Sequence, residues 1–145
     1  MGLQLHPLKE NNLIKGLAHL CFTVSNLERS VAFYRDVLGM TPAFDFIDEN
    51  GRYYGQYLHA GERTFIELFS GKLGEPVEGQ AYRHFCLEVD DIHAVVAELR
   101  AKGVEVTDIK TGKDHSYQAW ISDPDGNRIE LHHYTPESKQ IPWVK

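Results

Sequence analysis

The sequence predicts an α+β protein built from two βαβββ modules, and three observations carry that expectation. Leu17-Ala18-His19-Leu20-Cys21-Phe22-Thr23-Val24 and Tyr82-Arg83-His84-Phe85-Cys86-Leu87-Glu88-Val89 share His-x-Cys and a Val five residues after the His, at an offset of 65. Ile66-Glu67-Leu68 recurs as Ile129-Glu130-Leu131 at an offset of 63. Two echoes in the same order and at nearly the same offset mark a duplicated unit. In each copy the pattern runs strand, helix, then three strands.

In the first copy a strand is expected over roughly 16–24. Ser25 followed by Glu28 forms a capping-box pattern. Leu27, Val31, Tyr34 and Leu38 then form a helical stripe, and Gly39 suits the position just past the helix end. Strands near 40–47, 53–59 and 63–69 follow, with turns at Glu49-Asn50-Gly51 and Ala60-Gly61-Glu62. In the second copy a strand over 82–89 leads to a helix capped by Asp90 or Asp91, striped by Ile92, Val95, Val96 and Leu99, and ended by Gly103. Strands near 104–109, 115–122 and 127–134 complete it, the last two joined by the turn Asp123-Pro124-Asp125-Gly126-Asn127. The chain thus divides into an N-terminal extension (1–14), a first module (15–69), a Gly- and Pro-bearing linker (70–80), a second module (81–134) and a tail (135–145). Trp143 is the tail residue suited to docking on a neighbour.

Composition narrows the function. The 145 residues are 42% hydrophobic and 25% charged, with a formal net charge of −6. These values fit a globular protein and give no basic run for nucleic acid. No apolar run is long enough to span a bilayer. Met1 to Asn12 lacks the pattern of a secretory signal, and His6 breaks the myristoylation pattern begun at Gly2. Cys21 and Cys86 both fall in predicted strands, as buried reduced thiols of a cytoplasmic protein do.

Strand alternation sorts the side chains onto two faces. In the first strand Ala18, Leu20, Phe22 and Val24 face the helix, and His19, Cys21 and Thr23 face away. Ile66 and Leu68 go with the core, while Phe65, Glu67 and Phe69 oppose them. In the second copy Phe85, Leu87 and Val89 oppose His84, Cys86 and Glu88, and Ile129 and Leu131 oppose Arg128, Glu130 and His132. Each copy therefore turns one His and one Glu away from its helix. A lone His or Glu on a strand is ordinarily solvated or structural. The same two types at matching places in both copies have no packing reason. If the faces curl around a shared cavity, His19, Glu67, His84 and Glu130 form a mixed nitrogen and oxygen ligand set. Such a set suits one divalent ion, Ni²⁺, Zn²⁺, Co²⁺, Mn²⁺ or Fe²⁺, with positions left for water. Cys21 and Cys86 are expected as walls of that cavity.

These residues, together with Ser25 to Met40 and Asp123-Pro124-Asp125-Gly126-Asn127-Arg128-Ile129-Glu130-Leu131, resemble the vicinal oxygen chelate superfamily of glyoxalase I, extradiol dioxygenases and bleomycin resistance proteins. The resemblance covers roughly residues 15–134. It implies paired βαβββ modules forming a cupped mixed sheet around a metal, ligated by His19, Glu67, His84 and Glu130. Their separations of 48, 17 and 46 residues resemble compact glyoxalase I members. Glu67 favours the isomerase and lyase branch, because the oxygenase and fosfomycin-modifying branches generally use two His and one Glu. The implied activity is a glyoxalase I-like shift of a proton through a metal-stabilised enediolate on a small carbonyl substrate, with Glu130 as the moving base and Glu67 across the ion. A homodimer is implied as well. The alternatives are an oxygenase or fosfomycin-type enzyme, in which His115 and Tyr117 support the site from behind, and a non-enzymatic bleomycin-resistance-like binder. Two departures from glyoxalase I stand out. Met40 to Phe46 contains no Arg or Lys, and the last strand ends Leu131-His132-His133-Tyr134, which places His132 on the Glu130 face.

Overall fold

The computed structural model describes residues 13–144. The expected extension 1–14 therefore lies almost wholly outside the described residues, as does Lys145. Eight strands and two α-helices follow in order: β1 (His19–Val24), α1 (Leu27–Ala32), β2 (Thr41–Ile47), β3 (Tyr53–Gly61), β4 (Thr64–Ser70), β5 (Phe85–Glu88), α2 (Ile92–Ala101), β6 (Lys110–Thr111), β7 (Tyr117–Ser122) and β8 (Arg128–His133). They form two four-stranded mixed sheets, ordered β1-β4-β3-β2 and β5-β8-β7-β6. This is the α+β fold of two βαβββ modules. β1 pairs parallel with β4, and β5 parallel with β8; the other pairings are antiparallel.

Several local expectations shift. Helix α1 is capped by Asn26, whose side chain accepts from the Arg29 amide at 3.0 Å, so Ser25 is not the cap. Ser25 instead reaches across to Asp125 of the second module. After Ala32 the helix widens into a π-helical turn over Phe33–Val37, closed by the Leu38 amide on the Phe33 carbonyl at 3.1 Å. Gly39 takes φ +75° just beyond, where a Cβ would strain the backbone. The expected strand over 104–109 does not form. The Thr107 hydroxyl accepts from the Trp120 amide at 2.9 Å, taking the place a strand carbonyl would fill, and only Lys110–Thr111 pairs with β7. β5 starts at Phe85, so His84 stands just ahead of it.

The inner faces of both sheets and the two helices share one apolar core. Val24, Leu27, Val31, Tyr34, Leu58, Ile66 and Leu68 of the first module belong to it with Phe85, Ile92, Val96, Leu99, Ile129 and Leu131 of the second. Phe22 meets Phe85 across the seam at 5.3 Å between ring centroids. The turn between β7 and β8 locks the modules. Asp123 accepts from the amides of Asp125 and Asn127 at 3.0 and 2.8 Å, and from the buried Tyr34 hydroxyl of the first module at 2.8 Å. Arg29 reaches Asp125 at 3.3 Å. At the other end Lys102 donates to the carbonyls of Asp36 and Val37 at 3.1 and 3.2 Å.

The tail is held by polar contacts and not by Trp143, which is 53% exposed. Buried Ser138 bonds the Ser116 hydroxyl at 2.7 Å and accepts from the Thr135 amide at 2.8 Å. The Gln140 side chain donates to Asp114 at 2.6 Å.

Tyr34→Phe removes a buried donor to an ionised carboxylate. It should cost about 1.5–3 kcal/mol of stability, measured by urea unfolding, while leaving the far-UV spectrum of the folded protein unchanged.

Candidate metal centre

Parallel register brings each His and Glu together. In the first module Cys21 lies opposite Glu67 and His19 opposite Phe65. In the second, Cys86 lies opposite Glu130 and Glu88 opposite His132. The duplication seen in the sequence is therefore a duplication of register. His19 Nε2 stands 3.8 Å from Glu67 Oε1, and His84 Nε2 stands 3.2 Å from Glu130 Oε2. Neighbouring ligands on one ion with bonds of ~2.1 Å are ~3 Å apart, so a nitrogen and carboxylate pair at these separations fits a divalent cation.

Within one chain the four donors do not meet. The two pairs occupy the outer faces of two different sheets, and among the described residues no cluster joins them. The one compact group of possible ligand atoms there is Cys86, Glu130 and His132. Cys86 thus stands among the possible ligand atoms and does not merely line a cavity, and both cysteines are exposed, where the strand pattern predicts buried thiols. The Cys86 thiol is pushed up to about 12, by desolvation first and then by the Glu130, Asp114 and Glu88 carboxylates. Cys21 is raised too, by partial burial and then by Glu67.

His132 is the residue whose importance the sequence understated. It is 8% exposed and lies between two carboxylates. Nδ1 is 3.4 Å from Glu130 Oε1 and Nε2 is 3.5 Å from Asp114 Oδ2; the buried Nε2 makes no hydrogen bond. Burial alone would raise Asp114. The Gln140 amide, the Ser116 amide and hydroxyl, and His132 outweigh it and hold the carboxyl below its usual range. A rigid polar wall thus backs Glu130. His115 and Tyr117 do not join it. His115 sits at φ +69° in a turn, with its carbonyl accepting from Thr135 at 2.7 Å. Tyr117 pairs with His133 on the helix-facing side, where His133 accepts from the Ile92 amide at the start of α2.

The first half-site is set among rings. The Tyr57 hydroxyl lies 3.2 Å from His19 Nδ1, and Tyr57 stacks on Phe44 at 4.6 Å and on Phe65 at 4.9 Å. Phe69 lies across Gly55 of β3: a Cβ there would come within 2.5 Å of the ring and 2.9 Å of the Leu68 carbonyl. In the second half-site Trp120 meets His84 edge-on at 4.7 Å, and Arg128 lies 4.3 Å above the Trp120 ring.

The Glyoxalase/Bleomycin resistance protein/Dioxygenase superfamily model matches residues 16–131, and the chain belongs to that family. It is 32% identical over 123 residues to a probable lactoylglutathione lyase of Vibrio cholerae, covering 79% of this chain and 88% of the relative. It is 34% identical over 123 residues to a lactoylglutathione lyase of Haemophilus influenzae, covering 79% and 90%. Among solved structures it is similar to TnmS3, an antibiotic binding protein from Streptomyces sp. CB03234, with a TM-score of 0.69, 27% identity, and 86% and 100% of the two chains covered.

Gly55→Ala should destabilise the protein by about 1–3 kcal/mol, because the β4 backbone and Phe69 must both move. Denaturant unfolding reads the loss, and an unchanged midpoint would refute the close approach.

Proposed function

We propose that this protein is a divalent-metal-dependent glyoxalase I-like lyase or isomerase acting on a small carbonyl substrate. The observation that carries the reading is the paired His and Glu on equivalent strands of both modules, at 3.8 and 3.2 Å. The relatives' names as lactoylglutathione lyases support the same class. The duplicated donors weigh against an oxygenase, which would need only three, and against a protein that merely sequesters its ligand.

His19, Glu67, His84 and Glu130 would hold the ion. When bound it supplies Lewis-acid stabilisation for negative charge developing on a substrate oxygen. Glu130 moves the proton between the two adjacent carbons. Its carboxylate is held from one side by His84 and from the other by His132, so it meets the substrate in one orientation. Glu67, with His19 as its single ion-pair partner among the described residues, closes the opposite side. Buried His132, braced by the half-buried Asp114, shields the rear of Glu130.

Because the pairs lie on separate outer faces of one chain, a complete four-ligand site takes its first-module pair from one protomer and its second-module pair from another. A two-fold dimer supplies two such sites, since an isologous interface presents each pair to its complement twice.

Two experiments test this. Chelation should abolish turnover and readdition of Ni²⁺ or Zn²⁺ restore it, while Glu130→Gln lowers kcat by about 10²–10⁴-fold with little change in KM. Full turnover by Glu130→Gln would remove it as the base. Separately, a variant lacking His19 and Glu67 and another lacking His84 and Glu130 should each be inactive. After mixing and subunit exchange they should regain about a quarter of wild-type activity, because half the dimers then carry one intact site. No recovery would place all four ligands within one chain.

A further inference from the structure

The outer face of the first module carries six aromatic rings beside the His19 and Glu67 pair. Phe44 and Phe46 come from β2, Tyr54 and Tyr57 from β3, and Phe65 and Phe69 from β4. They form one sheet of contacts. Phe44 stacks on Tyr57 and Tyr57 on Phe65, with interplanar angles of 19° and 27°. Phe46 meets Phe69 at 4.8 Å, and Tyr54 stacks on Phe69 at 5.9 Å. A register shift between Phe46 and Ile47 turns Tyr54 toward this face.

The other face of the same sheet is already buried, through Leu58, Ile66 and Leu68. An antiparallel sheet with one face in the core ordinarily turns polar residues to the other. Here the face away from the core carries six rings around its His19 and Glu67 pair, and Phe44 remains 50% exposed. Contiguous apolar surface of this kind marks a binding surface.

Charge selects the occupant. Strands β1 to β4, which supply the ring-lined half of the site, contain no Lys or Arg, whereas the second-module half carries Arg128 over Trp120. The ring faces carry negative quadrupoles, which attract the edges of other rings and disfavour anions. The surface also runs directly into the half-site, through the Tyr57 hydroxyl at His19. What packs on it is therefore held next to the reacting centre.

We infer that the substrate carries an uncharged aromatic group that packs on Phe44, Phe46, Tyr57 and Phe69 while its carbonyl end reaches the His and Glu donors. The inference rests on the functional reading above and names its substrate class: an aryl α-hydroxy ketone or similar compound, and not an adduct whose recognition depends on several carboxylates.

The test compares three probes by calorimetry on the full-length protein, with and without Ni²⁺: 2-hydroxyacetophenone, hydroxyacetone, which has the same reacting group without the ring, and S-methylglutathione. The aryl ketone should bind at least about tenfold more tightly than hydroxyacetone, and more tightly than S-methylglutathione. Phe44→Ala with Phe46→Ala should abolish that preference with metal content and far-UV spectrum retained. Phe44→Arg, at an exposed position, should keep the fold and shift preference toward S-methylglutathione. Equal affinity for the two ketones, or a preference that survives the double substitution, overturns the inference. So does dissociation of an oligomer by the double substitution with the aryl preference intact, which would mean that a second copy covers the rings. Turnover separates this claim from the one beneath it. Metal-dependent isomerisation without any aryl preference sinks the substrate class alone. Aryl preference without turnover of any carbonyl sinks the isomerase reading and leaves the aromatic surface standing.

Discussion

The register of two parallel strand pairs governs everything at the site. β1 against β4 and β5 against β8 are each joined through a helix and two further strands, as parallel neighbours require. In both pairs a Cys on the first strand faces a Glu on the second. Side chains alternate with period two, so a slip of one residue would send Glu67 or Glu130 into the core and bring Ile66 or Ile129 to the surface. Burial of those isoleucines therefore holds the carboxylates in place. The apolar core and the ligand pairs are two consequences of one register.

A single core spanning both modules turns their inner faces toward one another and leaves both ligand faces outward. Tyr34 on Asp123 and Lys102 on the end of the first helix fasten that arrangement at two points. The duplicated half-sites are then held apart by the very packing that stabilises the chain. On the proposed function, a fold that divides the four donors in this way would tie metal binding to assembly, since each chain offers one His and Glu pair on each of two separate faces.

The two halves have also diverged. In the second module the carboxylate is flanked by His84, His132 and Cys86, and a polar network of buried Ser116 and Ser138 with half-buried Asp114 and Gln140 anchors the tail behind it. Polar groups that are mutually bonded hold one another in place, which suits the proton-transfer role proposed for Glu130. In the first module Glu67 has a looser partner, and aromatic rings take the place of that network. The proposals that put proton transfer on the second module and substrate contact on the first both rest on this asymmetry.

Much of this was legible in the sequence because it is local. Alternation placed His19, Glu67, His84 and Glu130 on outer faces, the helical stripes located α1 and α2, and Asp123 to Asn127 read as a turn. What escaped depends on residues far apart in the chain. Asn26 and not Ser25 caps α1 because Ser25 is drawn to Asp125, a hundred positions away. Thr107 interrupts a strand by capturing Trp120. A bulge turns Tyr54 to the ring-lined face, and His132 is caught between Glu130 and an Asp114 fixed by the tail. The sequence by itself determined which side chains are offered on which face, since period two is a property of each strand alone. Only the tertiary structure decided which of them meet, because pairing register, bulges and the packing of two modules on one core are set by contacts across the whole chain.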